Sequence, residues 1–262
     1  MKISMYQVDA FASSVFRGNP AAVCPLDAWI PDSIMQSIAM ENNLAETAFF
    51  VSRGNEFEIR WFTPAVEIAL CGHATLASAF VANRIGKMAD RICFQSKSGP
   101  LYVEKQNDLY SLNFPARVIG PSMEITEAVS DCLGKRPLKL FSSEPNLLAI
   151  FDSEDEIRNL APDFRAMKAL ASHGIIVSAP GKQYDFVSRF FAPGVGVDED
   201  PVTGSAHCTL IPYWASELKK KNLKAFQASS RGGELICEFL EDRVTFAGTG
   251  SLYLEGIISI PD

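Results

Sequence analysis

No apolar run in this 262-residue chain approaches the roughly 18 residues that a membrane-spanning helix needs. No basic run is longer than Lys219-Lys220-Lys221 and the net charge is −7, which argues against nucleic acid or an anionic membrane as the main partner. Histidine is scarce. Only His73, His173 and His207 occur, with no H-x-x-x-H and no accompanying carboxylate cluster, so no metal is expected. The six cysteines (Cys24, Cys71, Cys93, Cys132, Cys208, Cys237) never fall in C-x-x-C spacing. The opening MKISMYQVDAF alternates like a strand and lacks the apolar centre of a signal peptide, so a cytoplasmic protein with reduced thiols is expected.

What remains is an ordinary globular composition, 47% hydrophobic and 21% charged. One stretch stands out because it occurs twice. RWFTPAVEIALCGHATLAS at 60–78 matches RFFAPGVGVDEDPVTGSAHCTL at 189–210 through Arg60/Arg189, Phe62/Phe191, Pro64/Pro193 and Val66/Val195, an offset of 129. After a three-residue insertion the offset becomes 132 and aligns Gly72 with Gly204, His73 with Ser205 and Ala74 with Ala206. Each copy reads as an alternating strand ending near a proline, a loop with acidic residues, then a small-residue turn opening an apolar helix. A repeat this long suggests two related half-domains rather than a solenoid. The Gly/Pro-containing segment 117–122 is the linker candidate, which divides the chain into lobes 1–117 and 118–251.

Between these landmarks, Asp32 is placed to cap a helix running to about Asn42. Residues 57–62, 91–96, 101–105 and 110–114 read as strands of the first half, and 138–141, 147–151, 175–178, 184–191, 235–240, 244–247 and 252–258 as strands of the second.

Candidate site residues appear at the seams. Gly18-Asn19 either forms a plain turn or presents an amide to a ligand. Glu46 stands where the chain enters the apolar run 48–51; it is either a solvated edge residue or a partly buried carboxylate able to transfer protons. Cys71, Gly72 and His73 open the first repeat's helix. There free N–H groups attract a carboxylate, and the cysteine is either a helix-start thiolate or an apolar filler. Asp198, Glu199 and Asp200 exceed what capping requires, and Pro201 holds Asp200 extended. With Thr203, Gly204 and Ser205 these acids complete a second helix start, expected to face the first across a cleft.

GNPAAV at 18–23, ENNLAETAF at 41–49, FTPAVEIALCGHAT at 62–75 and DEDPVTGSAH at 198–207 resemble the phenazine-biosynthesis isomerase-like (PhzF-like) family, over essentially the whole chain. The resemblance implies an α/β (α+β) fold related to diaminopimelate epimerase. Two pseudo-symmetric lobes would each be a curved, mostly antiparallel sheet around a central helix, with the last strand, 252–262, returning to the first lobe. It also implies a cofactor-independent proton shift on a small carboxylate substrate. Glu46 would be the acid/base, with Asp200, His73 and Ser205 as further catalytic residues and Asn19, Gly72, Thr203 and Gly204 binding substrate. A homodimer is expected on the same ground. In the epimerases two cysteines open the two helices. Here Cys71 matches the first, while Pro201 and Val202 stand where the second is sought, so a two-thiol racemase lacks its partner. A binding protein that keeps the fold without turnover is the other class of reading, and the retention of Glu46 with Asp200 argues against it.

Overall fold

The computed structural model describes residues 1–54, 56–170 and 172–260. The chain forms two compact units, Met1–Phe114 with Phe246–Asp262, and Pro115–Thr245. The sequence boundaries had been read at 117/118 and 251/252.

The first unit runs β1 (Lys2–Ala10), β2 (Asn19–Leu26), α1 (Asp32–Asn42), β3 (Glu46–Arg53), β4 (Glu56–Phe62), β5 (Glu67–Ile68), α2 (Gly72–Arg84), β6 (Arg91–Ser96), β7 (Gly99–Gln106) and β8 (Leu109–Pro115). The second runs α3 (Glu127–Leu133), β9 (Lys139–Ser143), β10 (Asn146–Ile150), α4 (Glu154–Asn159), α5 (Phe164–Met167), β11 (Ile175–Pro180), β12 (Phe186–Phe191), α6 (Gly204–Leu218), β13 (Asn222–Gln227) and β14 (Gly233–Leu240). β15 (Arg243–Gly248) leads out of it, and β16 (Gly250–Ser259) pairs antiparallel with β1 of the first unit.

The two halves repeat the same order of strand pairings. In the first unit β1/β2 is antiparallel, β2/β3 parallel, β3/β4 antiparallel, β4/β6 parallel and β6/β7 antiparallel. In the second, β9/β10 is antiparallel, β10/β11 parallel, β11/β12 antiparallel, β12/β13 parallel and β13/β14 antiparallel. The sequence repeat therefore marks the β4–α2 and β12–α6 segments of one topology used twice.

In each unit the strands pack on a helix buried on nearly every side, α2 against β1, β2, β3 and β16 and α6 against β13 and β14, which is why α2 and α6 lack a polar face. In α2, Ala74, Leu76, Ala77, Ala79, Val81 and Ala82 are all buried, and the hydroxyls of Thr75 and Ser78 bond back to the carbonyls of Cys71 and Ala74. In α6, Trp214 stacks on Phe186 with centroids 5.8 Å apart while its Nε1–H donates to Ser178 Oγ at 2.9 Å. Pro212 lies inside α6 and has no N–H for the carbonyl four residues back. That carbonyl, Cys208 O, instead accepts from Arg117 N at 2.9 Å. The linker is thus tied to the helix it precedes.

The repeat also has an electrostatic signature. Arg60 grips Glu67 in a two-pronged ion pair at 2.8 and 2.9 Å and lies 5.2 Å over the Phe62 ring. Arg189 grips Glu199 at 2.7 and 2.9 Å and lies 4.8 Å over Phe191. Glu67 and Glu199 differ by 132, the offset that follows the insertion. This accounts for one of the three acids that looked surplus. Planar fork-to-carboxylate pairing of this kind fixes geometry as well as charge.

Four sequence readings need correction. Asp32 is the first residue of α1, not its cap; Pro31 precedes the helix, no side chain caps it, and the Asp32 carboxylate accepts from Arg60 Nη1 at 2.8 Å. β2 and β13 are strands that the residues did not announce, because turn residues open the first and the charged Lys224 interrupts the second. The strand read over 184–191 begins only at Phe186. Among the described residues no helix is long and apolar enough to cross a membrane.

Between β1 and β2 the chain turns so tightly that Gly18 adopts φ +63° and the Ala10 carbonyl oxygen occupies the space a Cβ would need. A Cβ there would overlap that oxygen and force a left-handed alanine. Gly18→Ala is expected to lower stability by at least about 2 kcal/mol, read as a fall in the urea midpoint at unchanged slope.

Candidate active site

Three elements of the first unit begin close together. β2 starts at Asn19, β3 starts at Glu46 opposite Ala21 in the parallel β2/β3 register, and α2 starts at Gly72 behind the extended Cys71. Element starts leave side chains and backbone donors uncommitted to the ladders. Here they gather four of the polar groups singled out from the sequence.

Glu46 Oε2 lies 2.9 Å from His73 Nε2, with the side chains only 15% and 6% exposed. Neither atom closes a hydrogen bond with any other group among the described residues. The contact is therefore an ion-pair approach that neither partner shares. On the other side of the ring, His73 Nδ1 is 3.2 Å from Asn19 Nδ2 and 3.5 Å from Cys71 Sγ. Asn19 is fully buried.

Burial works against charge on the His73 ring, while Cys71 and Glu46 work for it, and the balance holds the ring's proton affinity well above the ordinary histidine value. Cys71 favours the charged ring only as a thiolate. Burial, reinforced by Glu46, pushes the Cys71 thiol up and keeps it protonated near neutrality. The pull on the ring is accordingly the carboxylate's. Cys71 is a buried thiol, not a reactive helix-start thiolate.

Glu46, Cys71 and His73 place one donor atom each within 4.8 Å of one another, a set with the chemistry of a soft divalent ion. The carboxylate and the thiol address different ring nitrogens, however. The two nitrogens of an imidazole point away from each other, so one ion cannot take the ring together with both groups. The arrangement is a chain, carboxylate to imidazole to thiol and amide.

The second unit carries its own constellation at the start of α6. Thr203 precedes the helix, with Gly204 first and Ser205 second, as Cys71 precedes Gly72 and His73. The residue equivalent to Cys71 at offset 132 is thus Thr203, a correction to the comparison with Pro201 and Val202. Thr203 Oγ1 donates to Asp200 Oδ2 at 2.6 Å. Gln227, fully buried at the end of β13, donates to Asp200 O at 2.7 Å and to Thr203 Oγ1 at 3.0 Å, and accepts from Thr203 N at 2.8 Å. It staples the loop that presents Asp200. Sequence reasoning missed Gln227, since it stands 24 residues from Thr203 in a strand without a clear pattern. Ser205 is exposed and Gly204 buried.

His207, one turn into α6, is wholly buried, and its Nδ1–H donates to Thr203 O at 2.8 Å. Its Nε2 meets no hydrogen-bond partner among the described residues. Burial pushes its pKa down from 6.5 to about 4, against the smaller opposing effect of the Thr203 carbonyl. Below pH 6.5 the unfolded chain takes up this proton while the folded one refuses it until about pH 4. Stability must therefore fall with falling pH in that window, by about 3 kcal/mol in total from this residue. His207→Asn is expected to flatten the dependence of the urea midpoint between pH 6.5 and 4, whatever its effect at pH 7.

Against this geometry, comparison with known proteins is consistent. Residues 8–256 match the protein family described as phenazine biosynthesis-like. An uncharacterized isomerase of Pseudomonas aeruginosa is 50% identical over 99% of this chain and 100% of its own length. A crystal structure of a PhzF-family phenazine biosynthesis protein from Enterococcus faecalis superposes with TM-score 0.97 at 45% identity, covering 99% of this chain and 100% of that one. A hydroxyproline epimerase from Agrobacterium vitis, with trans-4-hydroxy-L-proline bound, shares the fold at TM-score 0.64 and 8% identity, over 100% of this chain and 93% of its own.

Proposed function

The chain belongs to the phenazine biosynthesis-like family, and on that footing we propose that it is a cofactor-independent isomerase that moves a proton on a small carboxylate substrate. Glu46 is the acid/base. The observation that carries this is the Glu46–His73 contact, in which Oε2 of a largely buried carboxylate faces one imidazole nitrogen and closes no hydrogen bond among the described residues. A structural carboxylate at that depth is ordinarily bonded on all sides. Arg60–Glu67 in the same unit is held in that manner.

In this reading Glu46 takes a proton from a carbon made acidic by a neighbouring carbonyl, enamine or diene, and returns it elsewhere on the same face. His73 holds the carboxylate in place and stabilises it before the first transfer and after the second. The backbone N–H groups at Gly72, at the start of α2, suit a substrate carboxylate or developing negative charge. Asp200, Thr203, Gly204 and Ser205 enter the proposal from the sequence resemblance, with Asp200 and Ser205 as proton-handling groups. The racemase alternative, which needs a reactive thiol at Cys71, is disfavoured by the burial that keeps that thiol protonated.

Glu46→Gln keeps shape and a polar head but cannot accept the proton. It is expected to slow exchange of substrate hydrogen with solvent deuterium by about 10²- to 10⁴-fold, screened by mass spectrometry over small cyclic and amino carboxylates. Cys71→Ser is expected to cost little. A wild-type rate from the glutamine variant together with a dead serine variant would transfer the role of base to Cys71.

A further inference from the structure

The side of the His73 ring away from Glu46 has neighbours of its own, Asn19 and Cys71. Imidazole has two nitrogens, and what holds one decides which proton the other can offer. Nδ1 faces Asn19 Nδ2 at 3.2 Å. An amide nitrogen only donates, so this contact is a hydrogen bond only when the ring is neutral and Nδ1 is unprotonated. The neutral ring must then carry its hydrogen on Nε2, toward Glu46.

We propose that Asn19 is a positioning residue for His73, whose buried amide keeps Nδ1 as an acceptor and reserves the Nε2 hydrogen for Glu46. The proposal rests on the reading of Glu46 as the proton carrier for its functional meaning, and on geometry alone for its existence. Asn19 opposes the carboxylate. Glu46 draws a second proton onto the ring, and Asn19 meets that proton with an N–H. The opposition favours a neutral imidazole that donates its Nε2–H to the Glu46 carboxylate over a permanent cation.

The surroundings leave few other groups to act on the ring. From β3 it is Glu46, and from the start of its own helix Cys71 at 3.5 Å from the same Nδ1. Strand β2 contributes the uncharged Asn19. On the other strands packed against α2, Asp9 of β1 accepts from Phe16 N at 2.7 Å and Glu255 of β16 is paired with Arg84 at 2.8 Å. The Asp9–Phe16 bond braces the turn that delivers Asn19, so the placement of this amide is built into the β1–β2 loop.

The test reads both nitrogens of each of the three histidines by long-range proton–nitrogen NMR correlation on ¹⁵N-labelled protein, without substrate. In the wild type, on the alkaline side of its titration, His73 is expected to show a hydrogen on Nε2 and a bare, hydrogen-bonded Nδ1. A neutral ring protonated on Nδ1 would overturn the proposal outright. Asn19→Asp replaces the N–H by an acceptor and is expected to raise the midpoint of Nδ1 protonation by about one pH unit or more. Asn19→Ala should shift it in the same direction by less. Unmoved midpoints in folded variants overturn the proposal equally. The two readings fail separately. If no carboxylate exchanges hydrogen with the wild type, the isomerase assignment falls and the nitrogen spectra still decide the role of Asn19. If exchange depends on Glu46 but the spectra do not move with Asn19, only the positioning role falls.

Discussion

The first unit is arranged around one costly placement, a carboxylate largely withdrawn from water beside a buried imidazole. Either group held there alone as a charge would cost several kcal/mol. Their pairing depends on parallel β2/β3 registration, which sets Glu46 level with Ala21, and on α2 beginning at Gly72. The small residues of α2 let the sheet approach closely enough for strand and helix starts to share one spot. Fold and site are in this sense a single constraint.

The second unit shows what the repeat retains and what it changes. The Arg–Glu fork and the phenylalanine two residues after the arginine recur in both halves, so the strand-to-helix passage is braced in the same way. At the helix starts the chemistry diverges. Cys71 and His73 in one half correspond to Thr203 and Ser205 in the other, and the partner of the threonine is Asp200, held by Gln227. The shared scaffold serves both halves, and the polar side chains differ.

Much of this was legible in the residues. The repeat at offsets 129 and 132 marked the twofold topology, and the blocks around Asn19, Glu46, His73 and Asp200 pointed to the family whose fold the chain has. Other features were not, for definite reasons. Glu199 looked like a spare helix-start acid because its partner, Arg189, lies ten residues back across a loop. β13 was hidden because Lys224 breaks its apolar pattern, and Gln227 was hidden with it. The Asn19–His73 contact spans 54 residues and exists only once β2 and α2 are packed, so no local pattern could announce it. Cys71 is ambiguous in the sequence; the structure buries its thiol beside an imidazole, and burial pushes its pKa up.

The central claim, that Glu46 and His73 act as one proton-handling unit, is tested most directly by a double-mutant cycle on solvent-deuterium exchange. The rates to compare are those of wild type, Glu46→Gln, His73→Asn and the double variant. If the two residues act as a unit, the double variant should be about as slow as the slower single variant, because either change already removes the shared function. Rate losses that multiply across the cycle would show two independent contributions and contradict the account.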